Sequence, residues 1–123
     1  MRMRVVAVCA VTLMFVFLAS AAVPAQDPAV VLADTVKVKF ENERVRVMEA
    51  SIPPGHKEKM HSHPAYVIYV ISGGKVRNHA VDGTTTDSTY NTGDVHYREP
   101  LTHWAENIGT TTLHLILVEL KGK

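Results

Sequence analysis

Apolar residues recur at every second position between Thr35 and Leu120, and this alternation restricts the fold more than any other feature. The segments TVKVKF and ERVRVMEASI alternate charged with apolar residues, as half-buried strands do. Such segments are separated about every 10 residues by residues that favour turns. These turn signals include Pro53-Pro54-Gly55, Gly73-Gly74, Asp82-Gly83 and Asn107-Ile108-Gly109. No window of this region has the 3.6-residue apolar period of an amphipathic helix. Short strands at this spacing predict an antiparallel sandwich or barrel.

The first quarter of the chain follows a different pattern. MRMR supplies positive charge, Val5 to Ala19 is an apolar run, and small residues surround an expected cleavage point near Ala25. These three parts are typical of a secretory signal peptide, and the apolar run is shorter than the roughly 20 residues of a membrane-spanning helix. We expect a signal peptide at residues 1–25, a lead-in segment at 26–34 and a single folded domain at 35–121. An uncleaved anchor is the alternative, and either arrangement places the domain in the periplasm or outside the cell.

Cleavage near Ala25 would change the composition of the chain. It would remove Cys9, the only cysteine among the 123 residues, so that the remaining domain forms no disulfide of its own. It would also remove Arg2 and Arg4, which changes the formal charge from +1 to −1 (+1 − 2). A near-neutral surface without a basic cluster argues against nucleic acid or an anionic membrane as partner. A domain of this size has little stability in reserve, and a homodimer would add to it.

Seven histidines lie beyond residue 25, and two of them, His61 and His63, have the spacing of metal ligands. Side chains two apart on a strand face the same way, with Cα atoms roughly 6.5 Å apart, so that two imidazoles can reach one ion. A pair of surface histidines would show the same spacing. The pair by itself leaves both interpretations open.

A longer pattern around this pair resembles the two sequence motifs of the cupins. The first motif, G-x5-H-x-H-x3-4-E-x6-G, is matched by Gly55, His61, His63 and Gly74. The second motif is matched within GDVHYREPLTHWAEN by Gly93, Asp94, Pro100, His103 and Asn107. The resemblance covers nearly all of the chain after the signal peptide. It implies an all-β fold, a double-stranded β-helix or jelly-roll barrel, with one metal ion in its mouth.

The cupin resemblance implies His61, His63 and His103 as metal ligands, carried over position by position. The family's acidic ligand, a glutamate in the first motif, falls on Val67. Three outcomes stay open: the three histidines hold the ion together with water, the pocket is metal-free and binds a small molecule, or another acid substitutes. Glu58 is the nearest acid upstream, but its place three residues before His61 predicts that it points away from the ligand face.

The ligand set also bears on the ion and on the activity. Three imidazoles favour Zn, Cu, Ni or Fe(II) over Mn, and Zn and Cu bind most tightly in an exported protein without controlled loading. The resemblance implies a metal-dependent dioxygenase or isomerase acting on a small organic molecule inside the barrel. A non-catalytic module that binds a small molecule or a metal is the alternative. The sequence contains no recognisable nucleophile arrangement or phosphate loop.

Further polar residues have roles that the sequence leaves open. Counting by twos from His63 predicts a shared ligand face for Ala65, Val67, Tyr69 and Ile71. Water on the metal is the expected base, with Tyr69 or His96 as alternatives. His96 and His114 are otherwise structural residues or hydrogen-bond partners of a ligand. Arg77 and Arg98 either attract an anionic substrate or are ordinary exposed arginines.

Overall fold

The computed structural model describes residues 26–122, which form one short helix and nine strands. The predicted signal peptide, residues 1–25, lies outside the described residues. The elements are α1 (Pro28–Val31), β1 (Val36–Glu41), β2 (Val45–Ile52), β3 (His61–His63), β4 (Tyr66–Ser72), β5 (Gly74–Ala80), β6 (Thr85–Tyr90), β7 (Val95–Arg98), β8 (Leu101–Asn107) and β9 (Leu113–Leu120). Within the described part, no helix has the length and apolar character needed to cross a membrane.

The strands form two antiparallel sheets. The five-stranded sheet has the order β1-β2-β9-β4-β7, and the four-stranded sheet has the order β3-β8-β5-β6. From β3 onward the chain passes repeatedly from one sheet to the other, so that strands distant in sequence become neighbours. The all-β double-stranded β-helix predicted from the sequence is confirmed.

The core between the sheets follows from the alternation along the strands. In β9, Leu113, Leu115 and Leu117 face inward and are buried. They lie beside β2, whose inward residues Met48 and Ala50 are also buried. Burying a side chain of the size of leucine or methionine contributes about 1.5–3 kcal/mol, so this layer fixes how β2 and β9 pair. The histidine-bearing strands of the other sheet are positioned against it.

Strand β4 has the opposite phase from the one predicted. Tyr66, Ile68 and Val70 face inward and are buried, while Tyr69 is 48% exposed. The prediction of a ligand face made of Ala65, Val67, Tyr69 and Ile71 is therefore wrong. Pro64 follows the last residue of β3, and β4 begins at Tyr66 in the other sheet. Counting by twos from His63 does not hold across that break, because the chain between the strands is not extended in one direction.

The outer face of the five-stranded sheet is apolar as well. Direct cross-strand partners form one row over all five strands, consisting of Phe40, Val47, Val118, Val67 and Tyr97. The adjacent row contributes Ile116, Tyr69 and Val95. We call these eight residues the outer apolar face. Tyr97 and Val95 are 56% and 66% exposed, so this surface has no cover within the described chain.

Candidate metal centre

The pairing of β3 with β8 brings three histidines together on the inner face of the four-stranded sheet. His61 lies directly opposite His103, and His63 lies two residues further along β3 on the same face. All three are buried. The ring centroids are 4.7 Å apart for His61 and His103 and 4.8 Å apart for His61 and His63. One nitrogen from each ring lies within 4.8 Å of the others, which is close enough for the three to share a metal ion.

Hydrogen bonds fix which nitrogen two of these rings present. The Nδ1–H of His61 donates to the carbonyl oxygen of Lys59 at 2.7 Å. The Nδ1–H of His63 donates to Oε1 of Glu119 at 2.7 Å. Both acceptors accept a hydrogen bond and donate none, so in the neutral form of each ring the free lone pair is on Nε2. This arrangement orients an imidazole for metal binding.

His103 has no such partner. Both of its ring nitrogens are buried and make no hydrogen bond with the described residues. Leaving a buried polar group without a partner is costly, and such groups are rare in folded proteins. A metal ion shared with His61 and His63 would occupy one of these nitrogens, so the donor set fits a bound ion.

Burial also keeps two of the rings neutral. Burial, together with the smaller effect of the neighbouring imidazoles, lowers the pKa of His61 to about 4 and that of His103 to about 3. A neutral imidazole is the form that binds a metal, because the lone pair is then free. Both rings are therefore in the form that can bind a metal at neutral pH.

A partly buried ion-pair network behind His63 was not predicted from the sequence. Oε2 of Glu119 accepts from Nε of Arg46 at 2.8 Å, and Nη1 of Arg46 donates to Asp27 at 2.8 Å. Burial raises the pKa of Glu119, but the hydrogen bonds from His63 and Arg46 outweigh it and leave the pKa below its ordinary value. Glu119 is therefore an anion that holds the Nδ1 proton of His63.

The sequence did contain a signal for Glu119. It continues the inward series of β9 after Leu113, Leu115 and Leu117. An acid at an inward position of an apolar strand is a candidate for a buried pair. Arg46 lies directly opposite it on β2.

Glu58 lies inside the fold, and the prediction that it points away from the ligands is wrong. Its side chain is 6% exposed, and its Oε2 lies 3.9 Å from Nε2 of His61. The same oxygen accepts the backbone N–H of Ala105 at 3.2 Å. Strand alternation does not apply to Glu58, because β3 begins only at His61. Burial raises the pKa of Glu58 to about 7.

Tyr66, which the sequence did not indicate, faces inward and stacks on His63 at 4.4 Å between ring centroids. The remaining sequence candidates are divided between the two faces. His96 also faces inward and stacks on Tyr90. Its buried Nε2 makes no hydrogen bond with the described residues and lies 3.7 Å from Oδ2 of Asp94. His114 faces outward and pairs with Glu49. Tyr69 is on the outer apolar face, away from the three histidines.

Two spaces adjoin the histidines. An interior cavity of about 40 Å³ is bordered by the three histidines, Glu58 and Tyr66. A cleft of about 300 Å³ between the sheets is bordered by Tyr66, Tyr90, Arg98 and His103. The interior cavity has room for an ion and a few waters, and an organic molecule needs the larger cleft. His103 borders both spaces.

Solved structures resemble this chain, although no family model and no curated protein matches it. A cupin domain from Bordetella pertussis Tohama I has 28% sequence identity and a TM-score of 0.65, over 71% of this chain and 92% of that one. The chain has the cupin fold. Within that fold, the inner face of β4 carries Tyr66, Ile68 and Val70, and none of them is an acid. Val67 as the position of the family's glutamate stays a prediction.

Two further structures support the cupin fold at lower similarity. A conserved protein with a double-stranded β-helix domain from Klebsiella pneumoniae has 26% identity and a TM-score of 0.55, over 71% of this chain and 83% of that one. A predicted oxalate decarboxylase from Thermotoga maritima has 21% identity and a TM-score of 0.53, over 71% of this chain and 79% of that one. Both structures agree with the fold described above.

Proposed function

We propose that this chain is an exported member of the cupin superfamily that holds one divalent metal ion through His61, His63 and His103. The observation that carries the proposal is His103, whose two buried nitrogens have no partner among the described residues while two oriented imidazoles stand beside it. When bound, Zn or Ni supplies a Lewis acid, and Fe or Cu also supplies a redox-active centre. Mn is the least suited of the five to a site of three nitrogens alone.

We further propose that Glu58 adds an oxygen ligand to the three nitrogens. Its carboxylate is buried and lies 3.9 Å from Nε2 of His61. Ligand atoms that bind one ion at about 2.1 Å stand about 3–4 Å apart, so a small rotation of the side chain brings this oxygen into range. A carboxylate among imidazoles also suits Fe(II) and Mn better than imidazoles alone. Glu58 would thus supply the acid that the first motif lacks.

Metal content tests the centre directly. The protein, refolded with Zn, Cu, Ni, Mn or Fe(II) and freed of excess ion, should retain about one ion per chain for at least one metal, as expected for a site with three buried ligands. His103→Ala should lose that ion. His79→Ala is the matched control, because His79 lies on the outer face of the same sheet, stacked on Trp104 at 3.5 Å. Retention below about 0.1 ion per chain for every metal would refute the centre.

The Glu58 ligand is tested by Glu58→Gln, which keeps the shape of the side chain and removes its charge. We expect weaker binding of every ion and a larger loss for Mn than for Zn, because Mn depends more on oxygen ligands. Affinities measured against a chelating dye give both results. Equal affinities in the variant and the unchanged protein would show that Glu58 is no ligand.

Two classes of function fit a metal centre beside a cleft. In an enzyme, Tyr66 and His103 would position a small organic molecule from the cleft against the ion, and the closed interior would exclude bulk water. In a non-catalytic module, the same cleft would hold a ligand without changing it. Oxygen consumption and product analysis with candidate substrates separate the two, because turnover supports an enzyme and stoichiometric binding alone supports the module.

We propose that two copies of the chain associate through the outer apolar face. Four of its eight side chains are 48–66% exposed, namely Phe40, Tyr69, Val95 and Tyr97. At residue areas of about 150–250 Å², these four expose roughly 450 Å², which is more than half of the roughly 800 Å² per partner of a standard interface. Apolar patches of this size lie within the range of the largest patches on monomeric proteins, and such patches often mark interaction sites. The formal charge, +1 for the full chain and −1 (+1 − 2) after loss of Arg2 and Arg4, opposes the approach of a second copy very little.

We also propose export with cleavage near Ala25, which rests on the sequence pattern of residues 1–25. Expression of the full chain in a bacterium with separate recovery of the periplasm should give a product that begins close to Gln26. Mass spectrometry of the intact product measures this. A product that keeps Met1 and stays with the membrane would indicate the uncleaved anchor.

A further inference from the structure

Arg98 points into the space between the sheets. In the pairing of β4 with β7, Arg98 lies opposite Tyr66, and His96 lies opposite Ile68. Tyr66 and Ile68 face inward and are buried, and residues directly opposite one another share a face of the sheet. The arginine is therefore an inward residue of an edge strand, not one of the exposed arginines on the outer face.

This arginine lacks the anionic partner that two others have. Arg46 is paired with Asp27 and Glu119, and Arg77 is paired with Asp87. The guanidinium of Arg98 donates to the hydroxyl of Tyr90 at 3.4 Å, and no carboxylate within residues 26–122 lies within 4.0 Å of it. A guanidinium has five donors in a planar fork that matches a carboxylate. A partly buried guanidinium bonded only to a phenol keeps most of that capacity.

The cleft around Arg98 is favourable to anions. Its lining contains no acidic side chain and several hydroxyl or amide groups, namely those of Tyr66, Asn78, Thr84, Thr86, Ser88, Tyr90 and Thr102. Glu58, the buried acid near the histidines, borders the interior cavity and not this cleft. The volume of about 300 Å³ matches the small end of the range for small-molecule sites.

We propose that this cleft binds a small organic acid whose carboxylate pairs with the guanidinium of Arg98 while the rest of the molecule faces His103. The hydroxyl groups along the cleft would donate to the remaining oxygens of the acid. The part of this inference that places the molecule beside a metal at His103 rests on the proposed function. The site for the carboxylate rests on Arg98 and the cleft alone.

The test compares acids with amides of the same shape. Malonate, succinate and benzoate, each against its amide, are titrated calorimetrically into the protein loaded with Zn and into the protein freed of metal. We expect at least one acid to bind at least about 10-fold more tightly than its amide, because a hydrogen bond to a charged group is worth roughly that factor or more. Arg98→Gln should remove this preference.

Two further variants make the result specific. Arg77→Gln also removes an arginine of the same domain, but one that faces outward and is paired with Asp87, so it should keep the preference for acids. Arg98→Lys keeps the charge without the fork and should bind acids with a reduced preference. The near-ultraviolet circular dichroism spectrum shows whether Arg98→Gln folds. If Arg98→Gln does not fold, the test relies on Arg98→Lys.

The outcomes separate this inference from the metal centre. Three results would each overturn the inference. Amides could bind with the same affinity as acids, no acid could bind at millimolar concentration, or Arg98→Gln could keep the same preference for acids. Metal content is measured in the same samples, and Arg98→Gln should retain its ion. If the unchanged protein holds no metal but still prefers acids, the proposed metal centre fails and the acid site stands.

Discussion

One carboxylate, Glu119, orients a candidate ligand and neutralises an arginine at the same time. Its Oε1 accepts from His63 and its Oε2 accepts from Arg46. Such partners behind a metal ligand typically contribute 10–100-fold in affinity. We therefore expect Glu119→Gln to raise the metal dissociation constant about 10–100-fold, as measured by competition with a chelating dye.

A matched control for Glu119 exists on the outer face of the same sheet. Glu49 accepts from His114 at 2.7 Å, the same distance as in the pair of Glu119 with His63. Glu49→Gln should leave metal affinity unchanged. A similar loss in both variants would mean that Glu119 affects the stability of the domain and not the orientation of His63.

The buried histidines predict that acid destabilises the metal-free protein. The pKa of His61 is lowered to about 4 and that of His103 to about 3, so the unfolded chain takes up protons first as the pH falls through about 6.5. The free energy of unfolding should therefore decrease between pH 7 and pH 5. Thermal unfolding in the presence of a chelator measures this decrease.

Glu58 opposes the histidines over the same range. Its pKa of about 7 in the folded protein lies above the ordinary value of 4.5, so its contribution to stability is present at low pH and is lost as the pH rises through about 7. Two histidines outweigh one carboxylate. Glu58→Gln removes the opposing contribution, and its melting temperature should fall more steeply from pH 7 to pH 5 than that of the unchanged protein. Parallel curves would contradict this assignment.

How far the sequence predicted the site depends on where each residue lies. His61 and His63 share a regular strand, so their common face followed from the period of two. Their closeness to His103 results from the pairing of β3 with β8. Only the motif resemblance suggested that His103 lies near them. Glu58 lies before β3 in irregular chain, where no period predicts the direction of a side chain. Glu119 was predictable in direction, but its partners come from distant segments.

At the scale of elements, Asn107 ties three segments together at the end of β8. Its Nδ2 donates to the carbonyl oxygens of Ile52 and Thr111, each at 2.8 Å, and its Oδ1 accepts the N–H of Gly109 at 3.0 Å. It is 1% exposed. The motif asparagine thus fixes the end of β2 and the turn into β9.

We expect Asn107→Ala to destabilise the metal-free domain by about 2–4 kcal/mol, because buried carbonyl groups lose their donors. For a domain of this size the melting temperature should fall by roughly 10 °C or more. Asn91→Ala is the control, since Asn91 is exposed in the turn between β6 and β7, and it should change stability by less than about 0.5 kcal/mol. Equal effects would show that the bonds of Asn107 contribute nothing specific.

The elements were predictable where the alternation is uninterrupted. The long strands β2 and β9 followed from the sequence, but the buried face of β2 did not, because Arg46 lies inward beside Glu119 and Val47 lies outward. Strand β4 did not, because its phase depends on Pro64 and Ala65, which change the direction of the chain between the two sheets. A period of two predicts which side chains of one strand point to the same face of the sheet. It does not predict how those faces correspond between two strands separated by a bend.

At the scale of the whole molecule, the outer apolar face predicts self-association. Tyr97→Lys places a charge on this surface at its β7 edge, and burying an unpaired charge is strongly unfavourable. We expect the unchanged protein to sediment as a dimer at micromolar concentration and Tyr97→Lys to sediment as a monomer. Val81→Lys, in the exposed turn after β5, should remain a dimer. A monomer for the unchanged protein would refute the interface.

Strand β3 has three residues and pairs with β8 as the edge of its sheet. An ion bound by this strand and by His103 would cross-link two segments roughly 40 residues apart, which shortens the free loop of the unfolded chain. Amide hydrogen exchange in β3 should then slow down when the ion is bound. For a chain exported as proposed, where proteases cleave segments that open, the bound ion would extend the lifetime of the protein.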